Sequence, residues 1–187
     1  RGSFAYTYSE AKSINDGVSD QVYSAWGNQI NAHGANSQEL GYASYVMPHR
    51  IVGSLNYTKD YAKYFGTSVS LSYYGGPQGR GSFLYDSSIL GDGAYATTLI
   101  SIPTYDDLFG DDKWIFQEYT DDAGNVYTAE DQAKDLWAFI QQDKYLKKNT
   151  GKISERNGAV SPWVHRFDFK INQNFYFYTG AKQRKHT

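Results

Sequence analysis

A chain of 187 residues can bury one ordinary core or two small ones. It has no cysteine, which excludes a disulfide framework, a thiolate metal site and a cysteine nucleophile, and a net charge of −2 gives no field suited to nucleic acid. Tyr is unusually common, 18 residues beside 10 Phe and 4 Trp; its apolar body and polar tip suit a hydrocarbon–water boundary, a sugar-stacking surface or a β-rich core.

The first predicted element is a strand over Ser3–Ser9, where Phe4, Tyr6 and Tyr8 alternate with small residues. A long polar stretch follows, from about Glu10 to Met47. The second strand, Arg50–Tyr57, collects Ile51, Gly53, Leu55 and Tyr57 on one face. A short link, Thr58–Gly66, leads to the third, Thr67–Tyr73, in which Val69, Leu71 and Tyr73 oppose three serines. The Gly-rich run Gly75–Gly81 leaves a strand and leads to no helix, so it reads as a flexible rim loop and not as a phosphate cradle.

The stretch from Tyr74 to Trp163 is longer still and carries structure of its own. Trp114–Tyr119 and Val126–Thr128 flank the turn Asp121–Asn125 and predict a hairpin. A helix begins at Thr128, which caps with Asp131 three residues on. Ala133, Leu136, Trp137, Ile140 and Tyr145 share one face of it, Lys144, Lys147 and Lys148 sit near its C-terminus, and Gly151 lies beyond. This stretch therefore predicts a cap-like lobe. The fourth strand, Arg166–Asn172, sets Phe167, Phe169 and Ile171 against Arg166, Asp168 and Lys170.

Alternation of this kind fits a soluble sandwich with its apolar face inward and a membrane barrel with its apolar face outward. Connection lengths favour the barrel, because short and long links alternate as periplasmic turns and extracellular loops do. No apolar run reaches the length of a membrane-spanning helix and mean hydropathy is −0.64, as expected where strand faces average out. Arg1 carries no leader signal and Lys182–Thr187 ends without a cap, so both ends read as cuts in a longer protein.

Motifs for chemistry are sparse. His33, His49, His165 and His186 form no HxxxH or HExxH spacing, and His49 and His165, each before an arginine at a strand start, read as rim residues. Asp121–Asn125 and Leu90–Gly93 lack the ligand spacing of a calcium loop and read as turns. No GxSxG, Walker A, GxGxxG or SxxK motif occurs, and no spacing singles out a glycosidase pair among the carboxylates. Trp26, Tyr74, Tyr85 and Trp163 suit either sugar stacking or loop packing, with packing preferred.

Several words in the chain carry a resemblance. Pro48-His49-Arg50-Ile51 opens an amphipathic strand, and Val69–Arg80 follows with Tyr73-Tyr74-Gly75-Gly76-Pro77 inside it. Leu99-Ile100-Ser101-Ile102-Pro103-Thr104 looks like a "DLIYIP" segment with Asp and Tyr replaced. Asp143-Lys144-Tyr145-Leu146, then Glu155-Arg156-Asn157-Gly158, then Pro162–Lys170 complete the series. In this order the words resemble the C-terminal barrel of TonB-dependent outer-membrane receptors of the Bacteroidetes type, in members with an N-terminal carboxypeptidase-regulatory-like domain. The resemblance covers nearly the whole chain. It departs from the family in having no recognisable plug, TonB-box segment or aromatic C-terminal residue, so the energy-coupling residues have no positions to map onto.

The resemblance implies an all-β fold: a segment, spanning residues 1–187, of an antiparallel transmembrane β-barrel of about 22 strands, with long extracellular loops, one containing a helix. It implies an outer-membrane location, a part in ligand uptake, and as partners the rest of the barrel, its plug, the TonB complex and outer-membrane lipid, without nucleic acid. No enzymatic activity, metal or cofactor is expected. The predicted lipid face carries Phe4, Tyr6, Tyr8, Ile51, Leu55, Val69, Leu71, Phe167, Phe169 and Ile171; Arg50, Arg166, Asp168 and Lys170 are the lumen-facing candidates for ligand contact. The alternative is a secreted β-rich carbohydrate-binding module; a third reading is a hydrolase with two acids in one cleft.

Overall fold

The computed structural model describes residues 1–17 and 19–179 in full and 184–186 as backbone. The predicted capless end therefore falls partly outside the described residues, at 182, 183 and 187. Strands form 38% and helices 17% of the chain, so all-β is a partial description. The sheets are antiparallel, no barrel closes among the described residues, and no helix there is long and apolar enough to cross a membrane. The chain divides into two units: residues 1–10, 46–79 and 161–187, and residues 11–45 with 80–160.

The first unit is a four-stranded meander: β1 (Gly2–Tyr8), β2 (His49–Tyr61), β3 (Phe65–Pro77) and β4 (Trp163–Phe175), each beside the next. All four lie where alternation predicts strands, but three run well past the predicted ends. The link between β2 and β3 is only Ala62–Tyr64, with Ala62 and Lys63 in the left-handed region, not the longer loop predicted. The rim-loop reading of Gly75–Gly81 is corrected at its start: Gly75, Gly76 and Pro77 continue β3 and pair with His165, Val164 and Trp163. Beyond β4, Phe177–Thr179 pairs antiparallel with Arg184–His186.

The register aligns side chains into rungs. Leu55, Leu71 and Phe169 line up in one row across the strands, as do Tyr57, Val69 and Ile171, and Phe4, Gly53, Tyr73 and Phe167. Directly opposed residues point to the same face, so the ten predicted apolar residues share one side. No Phe, Tyr, Leu, Ile or Val of the four strands is buried. The sheet has no core of its own.

The second unit collects the two long connections. Its centre is Ile102, Ile140 and Leu146, with Phe83, Ile100, Leu136, Trp137 and Tyr145 packed around them. Burying each of the three contributes roughly 1.5–3 kcal/mol. The spine is the Leu99–Ile102 word. The amide of Ile100 donates to the Phe83 carbonyl at 3.1 Å and the amide of Ser154 donates to the Ile100 carbonyl at 2.8 Å. The segment is thus held on both sides without regular strand structure.

Among the described residues this unit holds four helices, α1 (Val22–Gly27), α2 (Tyr105–Phe109), α3 (Ala129–Gln142) and α4 (Lys144–Lys148), of which α3 and α4 supply Ile140 and Leu146 to the core. Helix α2 starts with a capping box, Thr104 and Asp107 bonding reciprocally. Thr128 caps α3 as predicted, accepting from the Asp131 amide at 3.2 Å, and Ala133 and Ile140 are buried on the predicted face. The single long helix is corrected to two. Asp143 takes an extended ψ of 124° and caps α4 through the amides of Tyr145 and Leu146, so Lys144, Lys147 and Lys148 belong to the second helix. The predicted hairpin shrinks to Tyr119–Thr120 against Val126–Tyr127.

Candidate functional site

Among the described residues, organised side chains outside the packed core include the faces of the sheet and a cleft in the second unit.

Arg50, Arg166, Asp168 and Lys170 all occupy the face opposite the apolar one, because each lies one step off the apolar rungs. Arg166 and Asp168 form an ion pair at 3.1 Å. Both are exposed, so the pair is worth at most about 1 kcal/mol. Lys170 follows on β4, opposite Ser70 and then Asn56. Arg50 lies on β2 against Thr7, two strands away from the others. The face is a hydrophilic strip with serines at its centre, Ser3, Ser54, Ser72 and Asp168 making one rung.

The apolar face is bounded by aromatic belts. At the tight-turn end Phe65 meets Phe175 edge-on at 5.5 Å, and Tyr61 stacks on Phe65 at 6.0 Å. Thr67 donates to Gln173 Oε1 at 2.7 Å beside them. At the other end Tyr6, Tyr8, His49, Tyr73, Trp163 and His165 gather in ring contacts of 5.4–6.1 Å. His49 and His165 thus sit at the strand ends, as predicted. Tyr74 lies on the opposite face of the sheet from Trp163, and in the second unit Tyr85 accepts the Ser101 amide at 3.2 Å.

The cleft of the second unit holds about 380 Å³ and is lined by Ile30, Glu39, Leu40, Leu99, Ile153 and Arg156, among others. His33 Nδ1 lies 2.5 Å from Glu39 Oε1, Ser37 donates to the same oxygen at 2.7 Å, and the Ala32 amide donates to Oε2 at 3.3 Å. Burial alone would push the Glu39 carboxyl up; the bonds from His33, Ser37 and Ala32 outweigh it and hold it below the ordinary range. A general acid needs the opposite shift. Glu155 lines the same cleft. Among the described residues no three His, Asp or Glu gather to hold a metal.

The Asp121 turn is what the spacing implies. Its carboxylate accepts from the amides of Ala123 and Asn125 at 3.0 and 2.8 Å, and the bonds from Asn125 lower its pKa. His186 belongs to the terminal strand pair by its backbone.

Sequence reasoning missed the polar hub beneath the cleft. The buried Arg156 donates to the carbonyls of Ser13 and Ile14, the second at 2.6 Å, and Nε lies 3.9 Å from Asp16. Asn157, at a φ of +54°, donates from Nδ2 to Asp16 and to the Tyr42 carbonyl, both at 2.7 Å. Only the word Glu155–Gly158 hinted at it, since no periodicity marks a residue that bonds to backbone far away in sequence. The chain matches no family model, and comparison with curated proteins and with solved structures likewise finds no match.

Proposed function

We propose that this chain is a stretch of the transmembrane β-barrel of an outer-membrane TonB-dependent transporter, taking part in ligand uptake. The observation that carries the reading is the uncovered apolar face: Leu55, Leu71, Phe167, Phe169 and Ile171 are all exposed on one side of a sheet whose other side carries Arg50, Arg166, Asp168 and Lys170. A water-soluble sheet would cover such a face, since exposed apolar patches of this size and open strand edges aggregate. Acyl chains would cover it in a bilayer.

The dimensions agree. Trp163 and Phe175 end a 13-residue strand, roughly 40 Å of chain at about 3.3 Å per residue. Tilted by about 40°, such a strand spans near 30 Å, the thickness of a hydrocarbon core. The aromatic belts fall at its two ends, where Tyr and Trp favour the interface. Connectivity adds support: the tight turn leaves one end of the sheet, and both long connections leave the other. In this reading the second unit is built from extracellular loops, and the charged face lines a wet lumen.

The test uses the intact transporter in a bilayer. The chain has no native cysteine, so nitroxides at Phe169→Cys and Lys170→Cys are the sole labels within it. Position 169 is expected to be relaxed by molecular oxygen and position 170 by a water-soluble nickel chelate. Equal access of the chelate to both sinks the reading.

A further inference from the structure

The belt at the long-loop end contains more than membrane anchoring requires. Tyr and Trp alone suffice to hold a strand at an interface. Here two imidazoles are added, and each is oriented in the same way. Tyr6 Oη lies 2.8 Å from His49 Nδ1, and Tyr73 Oη lies 2.8 Å from His165 Nδ1. In both pairs the tyrosine sits two residues short of the histidine's rung and reaches toward it along the strand, Tyr6 facing Ile51 and Tyr73 facing Phe167. With the tyrosine hydroxyl donating to Nδ1, each ring is fixed in the tautomer whose proton sits on Nε2, and that N–H is left as the ring's donor.

The backbone beneath is shaped for this. Gly75 lies directly opposite His165. A Cβ on Gly75 would fall 2.9 Å from Cζ of Tyr73 and closer still to its hydroxyl. The phenol of Tyr73 can lie back to reach His165 only because residue 75 has no side chain. Between the two histidines stands Trp163, 6.1 Å from each ring and inclined to them by 23° and 25°. The row therefore offers the indole N–H and two imidazole edges. No carboxylate occupies the apolar-face rungs around it, which hold Tyr6, Tyr8, Ile51, Tyr73, Gly75 and Pro77. The nearest acid in sequence, Glu10, accepts from the Tyr8 hydroxyl at 3.0 Å.

A row of N–H donors with no carboxylate in its own rungs, at the border of a lipid-facing surface, is complementary to an anion carried at that depth. We infer that His49, Trp163 and His165 form a docking site for the phosphate of a membrane lipid headgroup, with Tyr6 and Tyr73 as positioning residues. The inference rests on the membrane reading above and goes beyond it by naming a lipid partner for one belt.

The experiment reconstitutes the intact transporter in phosphatidylcholine vesicles doped with either phosphatidic acid or diacylglycerol of the same acyl chains. Lipid retained on the extracted protein is counted by native mass spectrometry. Wild type is expected to retain phosphatidic acid several-fold over diacylglycerol. The double variant His49→Phe/His165→Phe keeps the rings and the anchoring but loses both imidazole donors, leaving only the indole N–H, and its preference should fall several-fold. Equal retention of the two lipids by wild type overturns the site, as does a preference that survives undiminished in the double variant. Displacement of the lipid by millimolar inorganic phosphate would reassign it to free phosphate and overturn the lipid assignment. The nitroxide measurement at 169 and 170, repeated in the double variant, separates failure of this site from failure of the membrane reading.

Discussion

Phe169 and Ile140 are both large apolar side chains, yet Phe169 is 64% exposed in the sheet and Ile140 is 1% exposed in the second unit. The sheet is held by ladder hydrogen bonds and cross-strand rungs, with nothing of its own to bury. The second unit has little regular strand and is held by a small core plus a buried polar hub. The difference shows where the apolar driving force comes from in each case. In the second unit it comes from the chain's own side chains leaving water. In the sheet it has to come from surroundings that the four strands do not supply.

Removing the hub is expected to have the largest effect and to be confined to one side of the comparison. Arg156→Met removes the guanidinium donor from the Ser13 carbonyl, leaves the Ile14 carbonyl to Gln29 alone and strips Asp16 of its cation. Losing one partner of a buried charged set costs about 3–5 kcal/mol. Amide hydrogen exchange in the intact protein should accelerate across residues 11–45 and 80–160 and stay unchanged in β2, β3 and β4. Acceleration in the strands of the same size would mean that the sheet depends on the hub.

The next test turns on the sheet alone. Phe169→Lys places a cation in the rung with Leu55 and Leu71. If acyl chains cover that rung, the change costs about 2–4 kcal/mol near the bilayer midplane. Ser72→Lys, in the rung with Asp168 on the other face, should be close to neutral. Denaturant titration of the vesicle-inserted protein reads both. In a water-exposed sheet Phe169→Lys would be neutral as well, and the contrast between the two faces would vanish.

The sequence carried the two regions unequally, for a physical reason. Strand alternation is a local signal, so all four strands and the facing of Arg50, Arg166, Asp168 and Lys170 were legible. Their ends were not. Past Tyr57 the apolar-face position is Lys59, and the rung of Lys59, Thr67 and Gln173 breaks the pattern although pairing continues to Tyr61 and Phe65. In the second unit the cap at Thr128 was readable because Thr128 and Asp131 are three residues apart. The break at Asp143 was not, because no Gly or Pro punctuates the chain between Thr128 and Thr150. Arg156 and Asn157 reach partners more than a hundred residues away, and nothing local announces such bonds. The Tyr–His pairs needed the register before either partner could be assigned.

The smallest effect concerns the cleft, and its sign follows from linkage. Glu39 has a folded pKa below its ordinary value of about 4.3, so the folded state favours the carboxylate more than the unfolded chain does. That contribution is fully present above the unfolded value and is lost as pH falls through the folded one. The second unit should therefore lose stability below about pH 4, with Glu39 as one contributor. The carboxylate is partly open to solvent, which screens the bond to His33 and limits its worth to less than about 1 kcal/mol. Glu39→Gln removes the titration and keeps one acceptor oxygen, which serves Ser37 or the Ala32 amide but not both, since these bond to different carboxylate oxygens. The variant should be slightly less stable at neutral pH and should match wild type once both are acidified, as read by hydrogen exchange over residues 30–41. An acid dependence in the variant as steep as in wild type would show that the loop holding His33 is fixed by its backbone turns and owes nothing to the charge of Glu39.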